Sequence, residues 1–255
     1  MRFSVAALVL PLMVILGPTA AVGETAEPTV DLGSDLRVKP LQDHLKMFVA
    51  DTDWNGTTIS ANGLILVGSE EILVVETPWT DEQTSRLLDW IDRELGQPVA
   101  AYVVTHAHND RIGGIAEVHR RGIPTWGYEG TVDMAIEQGF DPPENTFVGR
   151  HDLTVAGEAV SLYHPGPGHT YDNIVVWFDD RLLLYGGCFI KDEASRGLGY
   201  TGDADVTEWP ESLRRLQATL PEPQVVVPGH GSPGGAELIT HTERLLVQAE
   251  QEAAD

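Results

Sequence analysis

Thr105-His106-Ala107-His108-Asn109-Asp110 follows directly on a short apolar run, Pro98–Val104. Three side chains able to bind a metal stand at every second residue where a strand would leave its sheet. Three more such side chains occur downstream: His169 in Gly166-Pro167-Gly168-His169-Thr170, Cys188 in Gly186-Gly187-Cys188-Phe189-Ile190-Lys191, and His230 in Pro228-Gly229-His230-Gly231. Each follows a short apolar run and lies among glycines, which let the backbone turn sharply and aim a strand-end side chain into a shared cleft. Neutral imidazole, thiolate and carboxylate are the ligand types zinc prefers. One zinc takes about four ligands, one of them often water at a catalytic site. Four His, one Asp and one Cys therefore match two zinc ions with three protein ligands each. His44, His119, His151, His164 and His241 have no comparable setting and read as surface or structural residues.

Around these motifs the pattern alternates strands and helices. Ser60–Val67 and Ile72–Val75 read as strands joined by a polar turn at Gly68–Glu71. Thr80–Leu95 reads as an amphipathic helix with Leu87, Leu88, Ile91 and Leu95 on one face and Thr80 as N-cap. Helices are expected at Gly113–Arg121 and Glu129–Gln138. Strands are expected at Ala159–Tyr163, Ile174–Phe178, Leu182–Tyr185 and Val225–Val227, with helices at Thr207–Leu220 and from about Gly235 onward. Strands followed by helices in both halves predict two sheets packed face to face with helices outside.

The composition allows a sizeable core, with 42% of the 255 residues hydrophobic, and the recurring apolar runs exclude general disorder. A net charge of −23 repels nucleic acid and anionic lipid. Met1 and Arg2, the apolar stretch Val5–Leu16 and the small residues up to Gly23 form a cleaved secretory signal over 1–23, since the stretch falls short of the ~20 residues of a membrane span. Residues 24–255 then form a single domain, exported to the periplasm with no membrane anchor and taken to be monomeric. Cys188 is the lone cysteine, so no intramolecular disulfide is possible, and a thiol in an oxidising compartment must be buried or ligated.

The stretches Asn62-Gly63-Leu64, Thr77-Pro78-Trp79, His106–Gly114, Gly166–His169, Gly186–Lys191 and Pro228–Gly231 resemble the metallo-β-lactamase superfamily, and within it the di-zinc, broad-spectrum subclass of class B β-lactamases. The resemblance runs from about Ser60 to Leu246. It implies an α+β fold, the four-layer αββα sandwich of that family, and two zinc ions, one held by His106, His108 and His169 and the other by Asp110, Cys188 and His230. It also implies hydrolysis of the β-lactam ring of penicillins, cephalosporins and carbapenems, conferring antibiotic resistance, with His106, His108 and Asp110 at the reacting centre. Glyoxalase-type relatives carry His directly after the motif Asp and a bridging Asp at the Cys position; here Arg111 and Cys188 stand there. No Ser-x-x-Lys motif in a suitable context offers a serine nucleophile.

By the same resemblance, Lys191 pairs with the substrate carboxylate, and Trp54, within the Asp51–Thr57 flap, covers apolar substrate groups. Arg111 lies beneath the metals. Two positions depart from the family pattern. Tyr200 stands where Asn is common in the stretch Gly197–Ala204, and Glu76 stands where Asp is usual. Both bear on substrate range rather than on reaction type. The competing readings are another zinc hydrolase of this fold acting on a lactone, thioester or phosphodiester, and a periplasmic zinc-binding protein without catalysis.

Overall fold

The computed structural model describes residues 27–254; the secretory signal expected over 1–23 lies outside them. Two sheets form the centre. Strands β1 (Val30–Asp31), β2 (Leu36–Gln42), β3 (Leu45–Trp54), β4 (Thr57–Val67), β5 (Ile72–Val75), β6 (Val99–Val103), β7 (Thr125–Tyr128) and β8 (Asn145–Phe147) lie side by side in that order in an eight-stranded sheet. The second sheet has five strands: β9 (Arg150–Val155), β10 (Glu158–Tyr163), β11 (Val175–Phe178), β12 (Leu183–Gly187) and β13 (Val225–Pro228). Pairing is antiparallel along β1–β5 and β9–β12. It becomes parallel for β5–β8 and for β12–β13. The helices are α1 (Asp81–Trp90), α2 (Asn109–Ile112), α3 (Ile115–Arg120), α4 (Gly130–Gln138), α5 (Trp209–Thr219) and α6 (Glu237–Ala254).

Three apolar interfaces make four layers. Alternate residues of the two sheets meet in the middle, Met47, Leu64, Leu73 and Val103 from one and Val160, Leu162, Val176 and Phe178 from the other. The opposite face of the first sheet, through Phe48, Ile65 and Val74, packs on Leu87, Leu88, Ile91 and Val118. The opposite face of the second, through Val175, Trp177 and Leu184, packs on Leu213, Leu216, Leu238 and Leu246 of α5 and α6. This is the αββα sandwich that the strand and helix order predicts. Burying one such leucine contributes roughly 1.5–3 kcal/mol, so each helical layer is held by several independent anchors.

Thr80 caps α1 as expected, its side chain accepting from the Gln83 N–H at 3.1 Å. Beyond Trp90 the helix widens into a π turn, Ile91–Leu95, which Gly96 closes in the left-handed conformation. The helix expected over Gly113–Arg121 is α3, and a short α2 that was not expected precedes it, the two separated at Gly113–Gly114. The physical reason is the close approach of α1, since a Cβ on Gly114 would lie 1.9 Å from Thr84 Oγ1. Strands β1–β3 and β7–β9 were not foreseen. The tip of the β3–β4 hairpin, Asn55–Gly56, carries Trp54 beside it and corresponds to the expected flap.

Candidate active site

All six candidate ligands sit where strands end, along one edge of the sandwich. Thr105–His108 leaves β6 and enters α2. His169 lies in the loop between β10 and β11. Cys188 directly follows β12, and His230 follows β13 beyond Gly229. Gly187 turns with φ +53°, and the Gly229 N–H donates to Gly187 O at 2.7 Å, which sets Cys188 and His230 side by side. Asn62 of β4 ties this corner to the first sheet, its amide donating to the carbonyls of Pro228 and Gly231, both at 2.9 Å.

The side-chain atoms converge. His106 Nε2 and His169 Nε2 each lie 3.2 Å from His108 Nδ1. Asp110 Oδ2 is 3.0 Å from His230 Nε2 and 3.6 Å from Cys188 Sγ, with Cys188 Sγ 3.4 Å from His230 Nε2. The triads Asp110–Cys188–His230, His106–His108–Asp110 and His106–His169–Cys188 each bring their ligand atoms within 4.8 Å of one another, so the six form one continuous cluster.

The ring partners test whether a cation suits the site. His108 Nε2 is 2.9 Å from the Asp203 carboxylate, and His230 Nδ1 is 2.7 Å from Ser60 O. Carboxylates and carbonyls only accept, so those two nitrogens carry hydrogen, and each ring turns its other nitrogen into the cluster. Burial holds both His106 and His169 well below the usual imidazole range, so both are neutral. His108 Nδ1 thus faces a nitrogen of each of two neutral rings at 3.2 Å, a grouping of ligand atoms that a cation would bind. At His230, burial opposes protonation, yet the negative charges of Cys188 and Asp110 carry it up to about 10. Both halves of the cluster call for positive charge, and the donor set suits zinc.

Arg111 is fully buried beneath the cluster. It pairs with Asp110 at 2.7 Å and donates to Asn62 O at 2.8 Å, Tyr185 Oη at 3.0 Å and Gly229 O at 2.9 Å. Asp110 is buried, which raises its pKa, but Arg111 and His230 outweigh this and hold it well below the ordinary range. Glu76 follows β5 with φ +73°, a left-handed conformation that a non-glycine residue adopts only under constraint. Its carboxylate takes the Thr105 N–H at 3.0 Å and the Thr105 hydroxyl, so it braces the residue that precedes His106. Burial lifts Glu76 to about 7 against the pull of Arg111, which lies 4.0 Å away.

The cluster opens into a cleft of about 810 Å³ bordered by Trp54, Ile59, Trp79, Lys191, Tyr200 and Asp203. Trp54 and Tyr200, both lining the cleft, are 64% and 63% exposed. The Tyr200 ring stands edge-on to His108 at 5.5 Å. Lys191 is 9% exposed, and burial lowers its pKa. Every residue singled out in the sequence therefore meets at this one site. Asp203, which orients His108, was missed as a functional residue, as was Asn62. Both lay inside the stretches quoted for the resemblance, but the pairing of Asp203 with His108 spans 95 residues and is visible only in the fold.

An αββα sandwich with a buried His, Asp and Cys cluster at its strand ends defines a metal-binding hydrolase. Residues 56–230 match the family model described as "Metallo-beta-lactamase superfamily". The chain is 34% identical over 238 residues to the "Metallo-beta-lactamase type 2" of Bacteroides fragilis, covering 93% of this chain and 94% of the relative. It is 35% identical over 193 residues to the Bacillus cereus protein of the same name, covering 76% and 75%. Among solved structures, the metallo-beta-lactamase from Pontibacter korlensis superposes with a TM-score of 0.80 at 37% identity, covering 83% of this chain and 98% of that one. The chain belongs to the metallo-beta-lactamase superfamily.

Proposed function

We propose that the chain hydrolyses the β-lactam ring of penicillins, cephalosporins and carbapenems, conferring antibiotic resistance, with two zinc ions. One would be held by His106, His108 and His169, the other by Asp110, Cys188 and His230. The observation that carries this reading is a buried ammonium, Lys191, opening on the same cleft as the converging ligands and forming no ion pair among the described residues. A cation so placed favours a substrate with a carboxylate close to the bond that breaks, as these antibiotics have. The relatives named above carry this activity in their names, and the Pontibacter korlensis protein has the same fold.

Bound zinc supplies Lewis acidity, which brings the pKa of water down to ~7 and polarises a carbonyl. The chain's own residues do the rest. Asp203 and the Ser60 carbonyl fix which nitrogen His108 and His230 present. Arg111 offsets the charge of Asp110 and Cys188, so the anionic half of the site can be buried without a fully uncompensated charge. Lys191 holds the substrate carboxylate, Tyr200 borders the side group, and Trp54 covers the cleft from the hairpin tip. The chain acts as a single domain over 24–255 and as a monomer, reached the periplasm through the signal at 1–23, and among the described residues has no helix long and apolar enough to cross a membrane.

The test is the loss of lactam absorbance with purified zinc-loaded chain, with and without a chelator. Turnover of all three antibiotic classes, abolished by the chelator, is expected. A zinc-loaded chain that opens none of them would overturn the proposal.

A further inference from the structure

Trp209 opens α5, is fully buried and has no part in the chemistry described so far. Its indole N–H donates to Phe189 O at 3.2 Å, and its ring stacks on the Phe189 ring at 5.8 Å with an interplanar angle of 20°. These two contacts fix the plane of the indole. Over that plane lies Lys191 Nζ, 5.4 Å from the ring centroid. On another side is the backbone of Gly199, where an added Cβ would come 3.9 Å from Nζ. The main chain of Lys191 is itself anchored, its N–H donating to Thr242 Oγ1 of α6 at 2.9 Å.

A buried ammonium is unfavourable unless something compensates its charge. A protein carboxylate would do so, but it would occupy the N–H donors and cancel the charge that an incoming anion needs. An aromatic face attracts a cation through its quadrupole and accepts no conventional hydrogen bond. The ammonium on Trp209 therefore keeps its donors for the cleft.

We propose that Trp209 is a positioning residue for Lys191: its indole face holds the ammonium on a fixed bearing, so the anionic group of a substrate meets a cation already in place. The proposal rests on the reading of Lys191 as the carboxylate partner.

The chain has three lysines, Lys39, Lys46 and Lys191. Labelling with ε-13C lysine therefore gives three signals, and Lys191→Arg assigns one by its disappearance. In zinc-loaded wild-type chain the indole ring current moves the Lys191 ε-protons upfield of the other two sets. Trp209→Leu removes that shift, and Trp209→Phe retains part of it. Benzoate, as a plain carboxylate probe, perturbs the Lys191 signal at lower concentration in wild type than in Trp209→Leu. With a penicillin, Trp209→Leu raises KM several-fold with kcat little changed. The double variant with Lys191→Ala has the KM of Lys191→Ala alone, because the two residues act as one unit.

An unshifted Lys191 signal in wild type, or KM effects that multiply in the double variant, overturns the proposal. So does a fall in kcat and zinc content at constant KM, which would assign Trp209 to His169, whose ring lies 6.0 Å away. If wild type turns over no β-lactam, the substrate reading fails by itself, and the ring-current and benzoate measurements still decide the role of Trp209.

Discussion

The two halves of the metal cluster are built on opposite electrostatic plans. The His106–His108–His169 half is neutral: burial suppresses protonation of two rings, and a single carboxylate, Asp203, sets the orientation of the third. The Asp110–Cys188–His230 half is anionic and lies over a fully buried guanidinium that also bonds two backbone carbonyls and a tyrosine hydroxyl. The neutral half needs its rings held at the right angle. The anionic half needs a fixed positive charge beneath it and a place where both sheets meet. Damage to one half should accordingly show in metal affinity with the fold intact, whereas damage to the brace under the other should show in the fold as well.

Arg111→Ala gives the largest effect. It leaves Asp110 buried beside Glu76 and strips the carbonyls of Asn62 and Gly229 of a donor. Breaking a buried pair from one side costs about 3–5 kcal/mol, so thermal unfolding should fall by several degrees at least and the zinc of the anionic half should be lost. A variant that melts like wild type with full zinc would break the contrast drawn here.

Asp203→Ala acts on the neutral half alone. The His108 ring is freed to rotate or change tautomer, and loss of such a partner typically costs about 10–100-fold in metal affinity or activity. Zinc affinity and melting temperature of the metal-free chain, measured together, check it. The affinity should drop and the melting temperature should hold, because Asp203 is partly exposed at the cleft.

Lys191→Ala touches neither half, so it leaves zinc affinity and melting temperature alone and acts on substrate binding only. A charge-assisted hydrogen bond contributes about 1.5–3 kcal/mol, so KM for carboxylate-bearing β-lactams should rise roughly ten- to a hundredfold, with a smaller change in kcat because the contact exists before and during reaction. Steady-state kinetics on several substrates measures it. Unchanged KM across them would remove the anchor.

The site was more legible in the sequence than the fold around it. Ligand-type side chains at strand ends carry their chemistry in the residue type, so all six candidates could be named before any coordinate, while Lys191 was named only through the family resemblance. Strand β5 was read with its observed bounds, because Ile72–Val75 is apolar throughout and buried throughout. The hairpin β2–β3 escaped, since Pro40 interrupts its first strand and its turn runs through His44 at φ +60° without a glycine. Strand β9 lies at a sheet edge and is mostly polar, so its Arg150–Val155 alternation is weak. The break between α2 and α3 depends on a contact with Thr84, some thirty residues earlier in the chain, which no local pattern reveals. Glu76, Asp203 and Trp209 act through neighbours brought up by folding, and their roles follow only once those neighbours are known.

Calorimetric titration of zinc into the metal-free chain tests the two-half account most directly, with Cys188→Ser as the paired sample. Two ions per wild-type chain are expected, and one tight ion with a weakened or absent second in the variant, whose fold persists because the neutral half and Arg111 are untouched. A wild-type chain that saturates at a single ion, or a variant that still binds two with unchanged affinity, would contradict it.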